Sequence, residues 1–392
     1  MPLEKTTLGL PGFLVKRVQG ENPAVIEVSY ELEVLCLYCE SPRLRKKDRF
    51  IRKVRHESFG SRPSWLWIES YKYCCLSCGK YFNSRFPGIL PYKRATEPFR
   101  REVFEKHVQG ISQKALSEAL QIGEATVERW HLELVKKKLQ EQIHSPCPKV
   151  LGIDEHFFTK KQGYATTLCD LSKHRIYDIT LGRSEKSLAQ YLSALEGRSN
   201  VRVVLMDMSE TYRSIVEKYF SQALIVTDRF HVIRLIIDAF LKAWQQFDPI
   251  GRKNRGLLSL LRRHEKNLKP EQIPKVEKYF LEFPVLEPLY RMKEKLCQLM
   301  TQKHQTAKQC RQEHIPLFFE LIEQLKTCQI SALETLGHTL DSWKEEVARM
   351  WRFTKTNGIT EGFHNKMEMI SRRAFGFRNF ENYRLRVKYA CG

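Results

Sequence analysis

Four cysteines set the tightest constraint on how this chain can fold. Cys36 and Cys39 in "CLYCE" and Cys75 and Cys78 in "YCCLSCGKYF" form two C-x2-C pairs separated by 35 residues. One such pair presents two thiolates from a single tight turn, and two pairs complete a tetrahedral Zn²⁺ site. The chain between them must therefore double back, and "SWLWIESYKY" has the alternation of a strand that does so. All four ligands come from the protein, so this zinc would be structural and not catalytic. Cys74 is out of register with the spacing, and Gly79 suits a knuckle turn that needs positive φ.

The chain has 392 residues and a formal charge of +21, with 42% hydrophobic and 11% aromatic residues. That length implies two or three domains, and the apolar content is enough to bury their cores. The charge is clustered. Residues 42–106 carry 17 Lys/Arg against 6 Asp/Glu, and residues 347–392 carry 10 against 3. Clustered positive charge points to a polyanion. No run of eighteen apolar residues is present, so nucleic acid is favoured over a membrane. The opening "MPLEKTTLGLPGFLVKRV" has an early acid and no continuous apolar core, so a cytoplasmic protein with reduced thiols is expected.

Between the cysteine pairs, "RLRKKDRFIRKVR" interleaves bases with Phe50, Ile51 and Val54, and reads as a strand or arm that touches phosphates. Arg45, Lys46, Lys47 and Arg52 are its candidate contacts. "TEPFRREVFEKHVQG" has helical spacing of Phe99, Val103, Phe104 and Val108. "ISQKALSEALQIGEATVERWHLEL" then gives two helices around a short "QIG" turn, with Ser112 as N-cap and Ala115 and Leu116 facing inward. This is the helix-turn-helix pattern, with Thr126 and Arg129 as DNA-facing candidates on its second helix.

From Lys149 the texture changes to short strands. "KVLGID" ends at Asp154, "GYATTLCDL" and "RIYDITLG" follow, and "VRVVLMD" ends at Asp207. "ALIVTD" is a fifth strand ending at Asp228. With the helices "SEKSLAQYLSAL" and "ETYRSIVEKYF", the order β-β-β-α-β-α-β predicts a mixed α/β layer. Carboxylates at the ends of apolar strands are costly to bury unless a cation pairs with them. In two-metal phosphoryl transfer, several carboxylates hold a pair of hard cations. Asp154 and Asp207 fit that use, and Glu361 in "NGITEGFHNKMEMISRR" is the candidate third. Residues from about 240 to 345 read as successive helices, an all-α insertion that accounts for the distance from Asp207 to Glu361. Asn365, one turn beyond Glu361, is an accessory candidate, and Lys366, Arg372, Arg373 and Arg378 are candidates to hold phosphates.

Together "GIDE", "MDMS", "TDRFHV" and "NGITEGFHNKMEMISRRAFGFRNFENYRLRV", behind the cysteine pairs and the paired helices, resemble the ISL-three family of bacterial insertion-sequence transposases over nearly the whole chain. The resemblance implies a ribonuclease-H-like α/β catalytic core with an all-α insertion, preceded by a zinc ribbon and a helix-turn-helix. It also implies a DDE triad of Asp154, Asp207 and Glu361 holding two Mg²⁺ ions, with Mn²⁺ as a substitute, and cleavage and strand transfer at transposon ends. Asp228 and His231 become an accessory pair. The expected segments are 1–92 (zinc ribbon), 93–146 (helix-turn-helix), 147–238 (core, first part), 239–346 (insertion) and 347–392 (closing helix). The implied partners are double-stranded DNA, as terminal inverted repeats and target, and a homodimer or higher oligomer on the nucleoid. The competing readings are a non-catalytic DNA-binding regulator and another metal nuclease on the same core.

Overall fold

The computed structural model describes residues 8–143, 145–353 and 358–392, without the side chains of 141–143 and 359–361. The chain forms two compact units, Met1–Leu139 with Ile370–Arg378, and Gln140–Met369 with Asn379–Gly392.

The first unit opens with strands β1 (Phe13–Gln19), β2 (Ala24–Tyr30), β3 (Leu44–Phe59), β4 (Arg62–Cys75) and β5 (Tyr81–Asn83). The β3–β4 hairpin is its backbone, and β2 and β5 pair with β4 along successive stretches, Ser64–Ile68 and Lys72–Cys74. Alternation along β4 buries Leu66 and Ile68 against Phe13, Ile26, Val54 and Phe86. Then come helices α1 (Glu97–Val108), α2 (Gln113–Leu120) and α3 (Glu124–Ile143). Phe99, Val103, Leu116, Leu120, Val127 and Trp130 form their shared core. Thr96 caps α1 and Ser112 caps α2, each such cap contributing about 1 kcal/mol. Ala115, expected inside, is exposed, because only Leu116 and Leu120 of α2 reach the core. The turn falls on Gln121–Gly123 as expected. Its left-handed residue is Gln121, the C-cap of α2, at φ 52°, while the carbonyl of Gly123 accepts from the N–H groups of Thr126 and Val127 to begin α3. Buried Arg55 of β3 donates to Leu120 O, a terminal carbonyl of α2, at 3.2 Å and so joins the hairpin to the helices.

The second unit is built on β6 (Val150–Thr159), β7 (Gly163–Asp170), β8 (Arg175–Leu181), β9 (Val203–Met206) and β10 (Leu224–Thr227). Helix α4 (Glu185–Ala194) connects β8 to β9, and α5 (Glu210–Tyr219) connects β9 to β10. The sheet order is β10-β9-β6-β7-β8. Strands β6, β9 and β10 run parallel, and β6-β7-β8 is an antiparallel meander. The four-residue β9 is buried at every position, as a central parallel strand covered on both faces should be. One boundary differs from the sequence reading: β6 does not end at Asp154 but runs on to Thr159. Its pairing with β9 stops at Gly152, whereas its hairpin with β7 continues to Thr159.

After β10 the chain is helical through α6 (Arg229–Phe247), α7 (Pro249–Lys253), α8 (Arg255–Arg262), α9 (Ile273–Glu282), α10 (Leu286–Thr301), α11 (Ala307–Gln309), α12 (Ile315–Lys326), α13 (Ser331–Ser342) and α14 (Lys344–Arg349). Trp244, Phe240, Tyr279 and Tyr290 build one core within this run, where truncating a large aromatic costs about 3–5 kcal/mol. The run is tied back to the sheet. Arg349 donates to Ile225 O of β10 at 3.0 Å, and Arg229 to Gln302 O and Met350 O at 2.9 and 2.8 Å. The chain ends in α15 (Gly358–Arg373) and α16 (Phe380–Cys391). Buried Asp178 of β8 accepts two hydrogen bonds from Arg384 at 2.6 and 2.7 Å, and Lys388 stands 3.4 Å away, fixing α16 on the meander.

Candidate functional site

Strand register sets three aspartates along one edge of the sheet. In the parallel pairs, Gly152 of β6 lies opposite Leu205 of β9, and Met206 of β9 opposite Thr227 of β10. Continuing those registers sets Asp154 level with Asp207, and Asp207 level with Asp228. All three fall at the carboxyl end of the parallel strands, the edge where open α/β sheets hold their ligands. β6 itself runs on past the end of β9 along β7, and the charges of Asp207 and Asp228 both act on Asp154.

Burial raises the Asp154 carboxyl to about 6, against a hydrogen bond from the Glu155 N–H at 2.8 Å that acts to lower it. Burial raises Asp207 as well, and the charge of Asp228 acts on both in the same direction. Asp207 Oδ1 is buried and has no hydrogen-bond partner among the described residues. A carboxylate oxygen left this way costs about 1–3 kcal/mol, and mutual repulsion adds to it. A divalent cation would relieve both, and carboxylate oxygens suit a hard ion, although among the described residues only the four cysteines already lie close enough together to hold one. Asp228 caps α6 by accepting from the Phe230 N–H, and its Oδ2 lies 3.7 Å from His231 Nε2. Glu155 faces Arg183 instead, at 3.3 Å.

A second layer, not identified from the sequence, lies behind Asp154. His364 Nδ1 is 3.9 Å from Asp154 Oδ2, and its Nε2 is 3.3 Å from Thr167 Oγ1. Thr167 also bonds His156 Nδ1 at 2.9 Å, and His156 Nε2 bonds the Tyr383 hydroxyl at 3.2 Å. Burial pushes His156 down to about 3 and His364 down to about 4, so both are neutral at pH 7. The signals were in the spacing. His156 is two residues after Asp154, on one face of a strand, and His364 is three after Glu361, on one face of a helix.

Glu361 lies in the first turn of α15, with its side chain outside the described residues, as are residues 354–357. Asn365 and Lys366 are exposed on the same helix, with Lys366 donating to Ala390 O. Arg372, Arg373 and Arg378 are exposed in the first unit. The aliphatic stem of Arg373 covers Gly110, where an added Cβ would meet Arg373 Cδ at 3.2 Å.

Within the first unit, the Sγ atoms of Cys36, Cys39, Cys75 and Cys78 all lie within 4.8 Å of one another. Cys36 and Cys78 are 3.7 Å apart, and Cys39 and Cys75 are 3.6 Å apart. Four sulfurs around Zn²⁺ at 2.3 Å stand about 3.8 Å apart, so the cluster fits that ion. Backbone N–H groups of Cys78 and Ser77 hold the Cys75 thiol down to about 6, whereas, against a backbone hydrogen bond at Ser41, burial and the neighbouring thiols push Cys39 up, so without a cation only part of the cluster is thiolate. Gly79 takes φ 71° in the second knuckle. Of the basic residues on β3, Arg45, Lys46 and Lys47 are exposed, Lys46 sitting 4.1 Å over the Tyr71 ring. Arg52 is committed elsewhere, donating to Leu90 O and Lys93 O at 3.0 and 2.8 Å. On α3, exposed Arg129 donates to Thr126 Oγ1 at 3.4 Å.

Residues 151–387 match a family model described as a transposase, that of the ISL-three DDE group. The chain is 24% identical over 401 residues to the transposase for insertion sequence element IS1001 of Bordetella parapertussis, covering 97% of this chain and 96% of the relative. It is 23% identical over 270 residues to the transposase for insertion sequence element IS1557 of Mycobacterium tuberculosis, covering 58% of this chain and 57% of that protein.

Proposed function

The chain belongs to the ISL-three family of DDE transposases, and on that premise we propose that it cuts and joins DNA at the ends of an insertion sequence. The observation that carries this reading is the row of Asp154, Asp207 and Asp228 at one sheet edge, with Asp207 Oδ1 buried and unpartnered. The strand order, an antiparallel three-strand meander extended by two parallel strands, is that expected of a ribonuclease-H-like core. Asp154 and Asp207 hold the metal with Glu361, which the first turn of α15 carries. Asp228, His231 and Asn365 serve as accessory groups. Two Mg²⁺ ions, or Mn²⁺, bound by these carboxylates would activate water and then the freed 3′-hydroxyl at a phosphodiester. The chain's own part is positional. Its strands set two carboxylates in adjacent register, its burial keeps bulk water from screening them, and neutral His364 stands beside Asp154 without neutralising it.

The Cys36–Cys39–Cys75–Cys78 cluster holds one structural Zn²⁺ and shapes the strands that carry Arg45, Lys46 and Lys47. Helices α2 and α3 act as a helix-turn-helix, with Thr126 and Arg129 toward DNA. Arg52 supports that surface from inside. Lys366, Arg372, Arg373 and Arg378 grip phosphates near the closing helix. The segments are those given by the sequence: 1–92, 93–146, 147–238, 239–346 and 347–392. The DNA partners are terminal inverted repeats and target duplex, approached by a homodimer or higher oligomer in the cytoplasm at the nucleoid.

The deciding experiment incubates labelled terminal inverted repeats with the protein and Mg²⁺ or Mn²⁺. Wild type is expected to cut, and Asp154→Asn, Asp207→Asn and Glu361→Gln to bind without cutting. Binding without cutting by the wild type as well would favour a non-catalytic regulator. Retained cutting by the three variants would remove these residues from the site.

A further inference from the structure

The two basic clusters noted above leave out a third. Residues 252–269, "RKNRGLLSLLRRHEKNLK", carry seven Lys/Arg and one acid, Glu265. They lie in the helical run after β10, where neither the catalytic carboxylates nor the first unit accounts for them. Helix α8 is strongly two-sided. Leu257, Leu260 and Leu261 pack against the Trp244 and Tyr279 core, whereas Arg255, Ser259, Arg262 and Arg263 line one shallow concavity whose floor includes the partly buried Leu258. Their spacing, i, i+4, i+7 and i+8, is that of a single helical face.

Pairing separates this face from the rest of the run. Lys326 and Lys344 bind Asp341, and Arg349 binds Glu345. Arg291 binds Glu265, removing the only acid of the 252–269 stretch. Arg255, Arg262 and Arg263 are exposed and have no carboxylate partner among the described residues. Like charges held this close repel one another, and a surface built only for solubility would intersperse acids. The helix is also held firmly. Buried Lys293 donates to Leu261 O and Arg263 O at 2.8 and 3.1 Å, and its own charge is met by Glu294 at 2.7 Å. An ammonium satisfying the last carbonyls of α8 fixes the direction in which Arg262 and Arg263 leave it.

From these observations we infer that the exposed face of α8 is a further binding site for the phosphate backbone of duplex DNA, independent of its sequence. It deepens the transposase reading and rests on it, adding a contact in the helical run to those of the first unit and closing helix. Arg255 and Arg262 are about 10.5 Å apart along the helix axis, so they reach different phosphates. No base readout is assigned to the face, because guanidiniums set this way give charge and position but no sequence information.

The test is full-length protein titrated with a mixed-sequence DNA duplex at several salt concentrations. Replacing Arg255, Arg262 and Arg263 together by alanine should make the plot of log affinity against log salt shallower by about 2.7, some 0.9 per lost phosphate contact. The triple lysine variant should keep the wild-type slope, which separates charge from folding, and Lys344→Ala should not alter it. An unchanged slope in the alanine variant overturns the proposal, as does loss of slope in the lysine variant. An RNA duplex of equal length that binds more tightly, and alone loses affinity in the alanine variant, overturns the choice of DNA. Cleavage of terminal repeats is scored separately. A wild type that binds the duplex and never cuts removes the catalytic reading while leaving the α8 site. A wild type that cuts while the alanine variant keeps its salt slope removes only the α8 site.

Discussion

His364 reaches toward Asp154 from the far side of the chain's helical run, its Nδ1 3.9 Å from the carboxylate and its Nε2 on Thr167. At 3.9 Å the neutral imidazole makes no direct hydrogen bond to the carboxylate, so any orienting effect needs a shorter approach or a bridging water. Outer groups that orient metal ligands are typically worth 10–100-fold in metal affinity or activity. His364→Ala is expected to raise the Mg²⁺ concentration needed for half-maximal cleavage by that factor, with His364→Asn retaining more. Duplex binding measured alongside should not change. Equal Mg²⁺ dependence in all three proteins would show that His364 only fills space.

Asp154 gives a pH prediction with a definite sign. Its folded carboxyl keeps a proton up to about 6, whereas 3.8 is the value for the unfolded chain. Folding therefore takes up a proton between those values, and the stability of metal-free protein falls as pH rises from about 4 to 6, then levels. The interval corresponds to about 3 kcal/mol at neutral pH. Asp154→Asn should stabilise the metal-free protein at pH 7 by up to about 3 kcal/mol, read as a higher melting temperature, and is expected to abolish cleavage. Mg²⁺ should raise the melting temperature of the wild type more than that of the variant. A lower melting temperature for Asp154→Asn at pH 7 would mean that burial does not dominate at this carboxyl.

The cysteine cluster predicts one tightly bound zinc per chain. Cys36 and Cys75 also belong to a small core with Tyr73 and Phe82, so losing the metal should loosen the knuckles and the ends of β3 and β4 together. Cys36→Ser or Cys78→Ser should drop the zinc content toward zero and lower the melting temperature of the first unit. Cys74→Ser should keep the zinc. Atomic absorption beside a thermal melt reads both outcomes.

Asp178 anchors the end of the chain. Removing one partner of a buried ion pair costs about 3–5 kcal/mol, because the other charge stays buried without it. Asp178→Ala strands Arg384 and Lys388 beneath α16 and should destabilise by that order in chemical denaturation. Limited proteolysis should release the C-terminal helix from the variant first.

Spacing made part of this architecture legible. The cysteine pairs, the N-cap at Ser112 and the strands leading to Asp207 and Asp228 each follow from a local pattern that a residue's neighbours in sequence determine. What stayed hidden depends on partners far away. The extension of β6 past Asp154 is set by which neighbour stops pairing first. The commitment of Arg52 to the carbonyls of Leu90 and Lys93 needs a loop about 40 residues on. The unpaired face of α8 needed every acid in the helical run to be located before its bases could be seen to lack one. Glu361 was legible as a first-turn acid of α15, and its role rests on the cleavage assay.

The bond between Thr167 and His364 joins residues 197 apart in the sequence. At roughly 5–20 residues per second, a ribosome delivers His364 some 10–40 seconds after Thr167. Throughout that interval a nascent chain carries the sheet and its aspartates but not the helix that closes over them. A chain still in synthesis at that stage thus has Thr167 in place without the histidine that bonds it.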